Sequence, residues 1–216
     1  MIPRTIFIAL IIAASAVPAY SQQKYSAEEI VLNVQKKYSA IRDASADFVQ
    51  TTTLRFGKNA VEQSGTVKIK KGNKYKIALP GQLIVTNGTT VWIYSSENNQ
   101  VLVDSAKENN SVFSPDKFLQ GFPSSYTVAS FTEQDGILEV LLSPSKKNDR
   151  RNPFLSLAMR VEVKTWLIQK IDYTDRNQTK NSITLSHIVL NKGIPDSEFT
   201  FIPDRSMNVV DARTLK

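Results

Sequence analysis

The chain has 216 residues, 27 Lys and Arg against 20 Asp and Glu for a formal charge of +7, a single histidine and no cysteine. That composition excludes disulfides and thiolate metal sites, leaves a zinc site to be built mostly from carboxylates, and offers neither phosphate-loop glycines nor a nucleophile elbow. The basic balance favours anionic surfaces such as phospholipid headgroups over nucleic acid, for which no recognition motif is present, although a generically basic exported protein explains most of the charge.

Arg4 and the amino terminus precede an apolar run, Ile6 to Ala16, that is about ten residues long and too short to span a bilayer. Ala19-Tyr20-Ser21 places small residues where a signal peptidase reads, so residues 1–21 are expected to be a secretory signal and 22–216 a single exported domain in the periplasm. Without Arg4 the exported charge becomes 7 − 1 = +6.

A helix follows. Ser26 stands three residues before Glu29, the capping-box spacing, and Ile30, Val34, Tyr38 and Ile41 form one apolar stripe. Beyond Ala44 the pattern reads as strand and turn, with candidates at 46–54, 64–70, 74–79, 83–86, 91–94 and 101–104. A second set falls at 126–132, 138–142, 157–164, 167–173, 183–190 and 198–201. Asp135-Gly136 and Thr165-Trp166 read as tight links. Pro115 to Gly121 reads as a short helical insert, and 143–153, with Lys146, Lys147, Arg150 and Arg151, as an exposed basic loop.

The stretch from Val67 to Tyr94 is the most informative. Val67, Ile69, Tyr75, Ile77 and Leu79 share one parity while Lys68, Lys70, Lys74 and Lys76 take the other, the mark of strands with one buried and one wet face. Leu83-Ile84-Val85 and Val91-Trp92-Ile93-Tyr94 then flank Asn87-Gly88, a signal for a two-residue hairpin turn, and are apolar at nearly every position. A hairpin apolar on both faces needs cover on both. The expected fold is therefore mainly β: an unclosed antiparallel barrel of about 11 strands, curled because flat sheets of that width are rare, with a helical lid over an apolar cavity.

Catalysis has little to build on. His187 sits alone within 183–190 and reads as an ordinary sheet residue, Glu28 and Glu29 belong to a helix first turn, and Glu133 and Asp135 flank a turn. The chain is expected to be neither an enzyme nor a metal or cofactor protein.

Ala46-Asp47-Phe48-Val49-Gln50, Ser64-Gly65, Asn87-Gly88 with Val91-Trp92-Ile93-Tyr94, Asn99-Gln100-Val101, and Phe199-Thr200-Phe201-Ile202-Pro203 with Val209-Val210-Asp211 resemble, in order, successive blocks of the LolA family. These are periplasmic carriers of outer-membrane lipoproteins. The resemblance implies a monomeric carrier that binds lipoprotein acyl chains without a cofactor, receiving them from an inner-membrane ABC transporter complex and passing them to an outer-membrane acceptor. The related receptor LolB is itself a lipoprotein and needs a cysteine, which this chain lacks. A carrier of another lipid, a periplasmic regulator that senses lipoprotein on the same fold, and more distantly a hydrolase are the competing readings.

Cavity-lining, lipid-binding candidates are Ile30, Val34 and Tyr38 from the lid helix, Tyr75, Ile77 and Leu79 from the third strand, Trp92 and Tyr94 from the apolar hairpin, and Phe118 and Leu119 from the insert. Family members often carry an Arg-Pro pair after the second strand, whose arginine bonds the lid; Lys71-Gly72 stands here, keeping the charge but losing the planar donor fork. If the strand continues, Lys71 shares parity with Val67 and Ile69 and gates the lid. If it ends at Lys70, Lys71 is a solvated turn residue.

Overall fold

The computed structural model describes residues 24–57, 59–106, 126–145 and 154–214. The expected signal segment, the insert with Phe118 and Leu119, and the basic residues of the 143–153 loop lie outside the described residues.

Helix α1 spans Ala27–Ser39. Its capping box is made in both directions: Glu29 N donates to Ser26 Oγ at 3.1 Å and Ser26 N to Glu29 Oε2 at 2.7 Å, satisfying two donors that a helix start otherwise leaves open.

Strands β1 (Asp43–Thr53), β2 (Val61–Lys70), β3 (Lys74–Leu79), β4 (Gln82–Asn87), β5 (Thr90–Ser95) and β6 (Gln100–Ser105) precede the insert. Strands β7 (Tyr126–Gln134), β8 (Ile137–Pro144), β9 (Phe154–Glu162), β10 (Leu167–Asp175), β11 (Lys180–Leu190) and β12 (Asn208–Asp211) follow it. All twelve join one unclosed sheet in the order β12-β6-β5-β4-β3-β2-β1-β11-β10-β9-β8-β7. It consists of two meanders joined where β1 pairs with β11. The expected strand at 198–201 is replaced by a 3-10 turn, Asp196–Phe199, and extended chain; the twelfth strand is β12, parallel to β6. The expected hairpin forms, shifted by one residue: β4 ends at Asn87 and β5 begins at Thr90, so Gly88-Thr89 make the connection, with Thr86 paired to Val91 next to it. Asn87 Oδ1 accepts from the N–H groups of Thr89 and Thr90 at 3.0 and 2.9 Å and closes that loop.

Register assigns the faces. Ala46, Val67, Ile77, Ile84, Ile93 and Leu102 stand opposite one another across six strands and define the inner face. Lys68, Lys76, Val85, Trp92 and Val103 form the matching outer row. On the other half of the sheet Leu138, Val140, Leu157, Met159, Val161, Ile168 and Ile171 form a core cluster with Ile30 and Val34 of α1. The helix therefore covers the inner face of that half.

The outer face carries the second cover that the hairpin demands. Asp43 accepts the N–H groups of Lys192 and Gly193 at 2.9 and 3.1 Å, fixing the turn by which the chain leaves β11. The arm beyond it crosses the back of β3 and β4. Glu198 bonds Lys68 and Lys76 at 2.9 and 3.1 Å, and Asp196 bonds Lys70 and Lys74, each at 2.7 Å. Each carboxylate thus relieves a directly opposed Lys–Lys pair that would otherwise repel across the strands. Phe199 is fully buried, and Phe201 stacks on Tyr94 with ring centroids 5.7 Å apart. The lysine face expected to be wet is instead the seat of this arm.

Candidate functional site

Beside the core beneath α1, the inner face forms a cavity of about 430 Å³ bounded, among the described residues, by β1 to β5, β10, β11 and the end of α1. One hollow touching seven consecutive strands requires the sheet to curl around it. Its walls are Ala44, Ala46 and Phe48 of β1, Val67 and Ile69 of β2, Ile77 and Leu79 of β3, Ile84 and Ile93 of the apolar hairpin, and Ile171, Ile183, Leu185 and Ile188 beyond the β1–β11 seam. Tyr38, Ser45, Gln50, Gln82 and Tyr173 supply the polar atoms, and no charged side chain lines it among the described residues. The size lies within the range of small-ligand pockets. Chemically it can hold an apolar, uncharged group; nothing at its wall could neutralise an ion, and burying an unpaired charge there is costly.

Local rules explain how each wall is made. Gly65 faces Phe48 across β1 and β2, and a Cβ there would meet the Ala78 carbonyl oxygen and stand 2.9 Å from Phe48 Cζ. Only glycine lets the phenyl ring lie across the sheet. On β11 a bulge opposite Ala46 inserts an extra residue, with His187 at φ 50°. Strict alternation would turn Ile188 and Leu190 outward; the bulge returns both to the cavity. His187 itself faces out, with Nδ1 2.8 Å from Asp47 Oδ2 in an exposed pair, remote from the cavity wall.

Tyr38 joins the lid to this wall. Its hydroxyl accepts the Ile168 N–H at 3.1 Å, and burial pushes its pKa up to about 12 against the lowering effect of that bond. Tyr75, also raised to about 12 by burial, stays neutral over the same range.

Of the sequence-derived candidates, Tyr38, Ile77 and Leu79 line the cavity. Tyr75 is on the inner face but packed away from the described wall. Ile30 and Val34 are buried in the core beneath α1, since the helix seats on β7 to β10 and only its last turn reaches the hollow. Trp92 and Tyr94 point to the opposite face, where Tyr94 meets Phe201, because the inner parity of β5 belongs to Val91 and Ile93. Phe118 and Leu119 are outside the described residues. The lining from β1, β10 and β11 was not anticipated. The row through Val67, Ile77, Ile84 and Ile93 was available from the β2–β3 alternation carried across the hairpin.

Lys71 sits at a turn and touches the helix. The strand ends at Lys70 and Lys71 is exposed in the following turn, yet its Nζ donates to Ser39 O, in the last turn of α1, at 3.0 Å. Carbonyls at a helix end lack intrahelical partners, and a cation there also meets the negative end of the helix dipole.

The sequence matches, over residues 39–202, the family described as outer membrane lipoprotein carrier protein LolA. It is 32% identical over 180 residues to an outer-membrane lipoprotein carrier protein of Chromobacterium violaceum, covering 80% of this chain and 82% of that one. It is also 27% identical over 206 residues to an uncharacterized protein of Methanocaldococcus jannaschii, covering 89% of this chain but only 56% of that relative's length. Among solved structures, an uncharacterized conserved protein from Thermus thermophilus shares the fold with a TM-score of 0.56 at 12% identity, covering 87% of this chain and 99% of that one. With the family match spanning three quarters of the sequence and the curled, helix-covered sheet of that architecture, the chain belongs to the LolA family of outer membrane lipoprotein carrier proteins.

Proposed function

We propose that this protein is a non-enzymatic periplasmic carrier that encloses the acyl chains of lipoproteins, taking them from an inner-membrane ABC transporter complex and delivering them to an outer-membrane acceptor. The observation that carries this reading is the 430 Å³ apolar cavity, reached by the last turn of α1 and with no charged wall residue among the described residues. Acyl chains gain about 0.8 kcal/mol per methylene buried from water, so a free lipoprotein would not cross an aqueous space at a useful rate. A non-covalent apolar hollow at the end of a helix hides the chains and still releases them. In this reading residues 1–21 direct export, the working form begins at Gln22 as a monomer, and Lys71 latches the empty lid through Ser39 O. Tyr38, Ile77 and Leu79 contact the acyl chains.

The experiment is recovery of the exported protein from periplasm, followed by intact mass and by protein and lipid mass spectrometry of what it holds. Triacylated proteins in the bound fraction support the proposal. Free lipid without acylated protein would make it a carrier of another lipid, and stoichiometric capture of a membrane-bound regulator would make it a sensor. An environment-sensitive dye that enters the native protein and is displaced by a lipopeptide supports the cavity; a dye that binds only on denaturation refutes it.

A further inference from the structure

The β1–β2 hairpin extends well past its neighbour. β2 pairs with β3 only from Thr66 to Lys70, so Val61 to Gly65 and the connection above them have no partner on that side. Five strand residues correspond to about 17 Å of projection. Every described residue from Leu54 to Ser64 is exposed, including Phe56 at 86%, Leu54 at 60% and Val61 at 58%. Three large apolar side chains at one tip are not the scattered surface residues that need no explanation. Arg55 stands between the two most prominent of them, its guanidinium carbon 4.8 Å from the centre of the Phe56 ring. Lys180 pairs with Thr53 at the foot of the tip. Glu62 is the single acid between residues 53 and 63. At its base lie Gln50 and, across the unpaired side, Leu79 and Gln82, which belong to the cavity wall.

We infer that this tip docks the protein on an anionic phospholipid bilayer, with Leu54 and Phe56 entering the headgroup layer and Arg55 and Lys180 meeting lipid phosphates. The chemistry is that of an interfacial anchor: a few apolar and aromatic side chains interleaved with cations on a projecting element. A protein partner fits less well. A convex tip with three apolar side chains offers no face from which an interface of about 1,000 Å² is readily built, whereas a fluid headgroup layer adapts to a point. The exported charge of 7 − 1 = +6 draws the whole molecule toward the same anionic surface. Docking by this edge brings the Gln50–Gln82 end of the cavity to the membrane, and it requires nothing about what the cavity holds.

The chain has no cysteine, so Phe56→Cys in the full exported protein creates a unique labelling site. With an environment-sensitive fluorophore there, vesicles of phosphatidylethanolamine and phosphatidylglycerol should shift the emission toward that of an apolar medium. Phosphatidylcholine vesicles should bind about tenfold or more weakly, and added salt should release the protein. In the unlabelled protein, Leu54→Glu with Phe56→Glu should reduce co-sedimentation with anionic vesicles by about tenfold or more while thermal unfolding and cavity dye binding stay as in the parent. A label that remains water-like on the vesicle, or a double-Glu variant that sediments like the parent, overturns the inference. So does tip-dependent binding to an isolated periplasmic or membrane protein with none to bilayers. Vesicle binding is read on empty protein, so failure of the carrier proposal appears separately, as loss of lipopeptide displacement with docking intact.

Discussion

Phe199→Ala tests whether the carboxyl-terminal arm is an integral wall of the sheet. Phe199 is 0% exposed and ends the 3-10 turn that Asp196 and Glu198 hold against the lysine rows of β2 and β3. Truncating a fully buried phenylalanine costs about 3–5 kcal/mol from lost transfer energy and the cavity left behind. At about 2–4 °C per kcal/mol for a chain of this size, the melting temperature should fall by roughly 6–20 °C. Ile202, three residues on and 85% exposed, is the internal control, and its alanine variant should stay within about 0.5 kcal/mol of the parent. Urea titrations followed by far-ultraviolet circular dichroism and by tryptophan fluorescence measure both, the second probe reporting Trp92 on the covered face together with Trp166 beside the core under α1. Coincident transitions displaced to lower urea support an arm that folds with the sheet. If Phe199→Ala shifts the midpoint no more than Ile202→Ala does, the arm is a loose strap and the outer face of β4 and β5 has no structural cover.

Ile84→Glu places an unpaired carboxylate in the apolar wall and should weaken lipopeptide displacement of a cavity dye by about tenfold or more, whereas Trp92→Ala, on the opposite face, should lower stability and leave displacement within about twofold; the reverse pattern would invert the face assignment. Lys71→Leu removes the bond to Ser39 O, worth about 1 kcal/mol in its exposed setting, and should hold lipoprotein roughly fivefold more tightly while handing it on less well. Lys71→Arg should transfer at least as well as the parent, and equal transfer by the Leu variant would remove Lys71 from any gate. Asp196 is lowered from 3.8 to about 2 by hydrogen bonds from Lys70 and then Lys74, and Glu198 is lowered by Lys68 and Lys76. Because the folded values lie below the unfolded ones, their stabilisation is present above the ordinary carboxylate range and lost as pH falls through the folded values; Asp196→Asn should flatten the stability profile between about pH 4 and 2, and an unchanged slope would mean these bonds are not made in solution. Gly65→Ala forces its Cβ onto the Ala78 carbonyl oxygen and the Phe48 ring and should destabilise by at least about 1 kcal/mol in thermal melts, a neutral result showing that the β1–β3 crossing is slack.

Local signals in the sequence determined the elements themselves. The Ser26–Glu29 box and its apolar stripe specified α1, the lysine alternation specified β2 and β3 with one inner parity, and the doubly apolar hairpin specified a sheet covered on both sides. These rest on interactions within one element or between adjacent strands, where side-chain period and turn chemistry act directly. What covers each side was decided by contacts between residues far apart in the chain. Trp92 and Ile93 are equally apolar, so composition could not assign them; only the register running from Val67 to Ile93 turns one outward and the other inward, and Phe201, from more than a hundred residues away, covers Tyr94 on the outer face. Likewise the β11 bulge resets the parity of Ile188 and Leu190, and the pairing of β1 with β11 brings the two meanders together around a common hollow. Among the described residues α1 packs on one half of the inner face and reaches the cavity on the other half only with its last turn, a consequence of packing that no local period encodes.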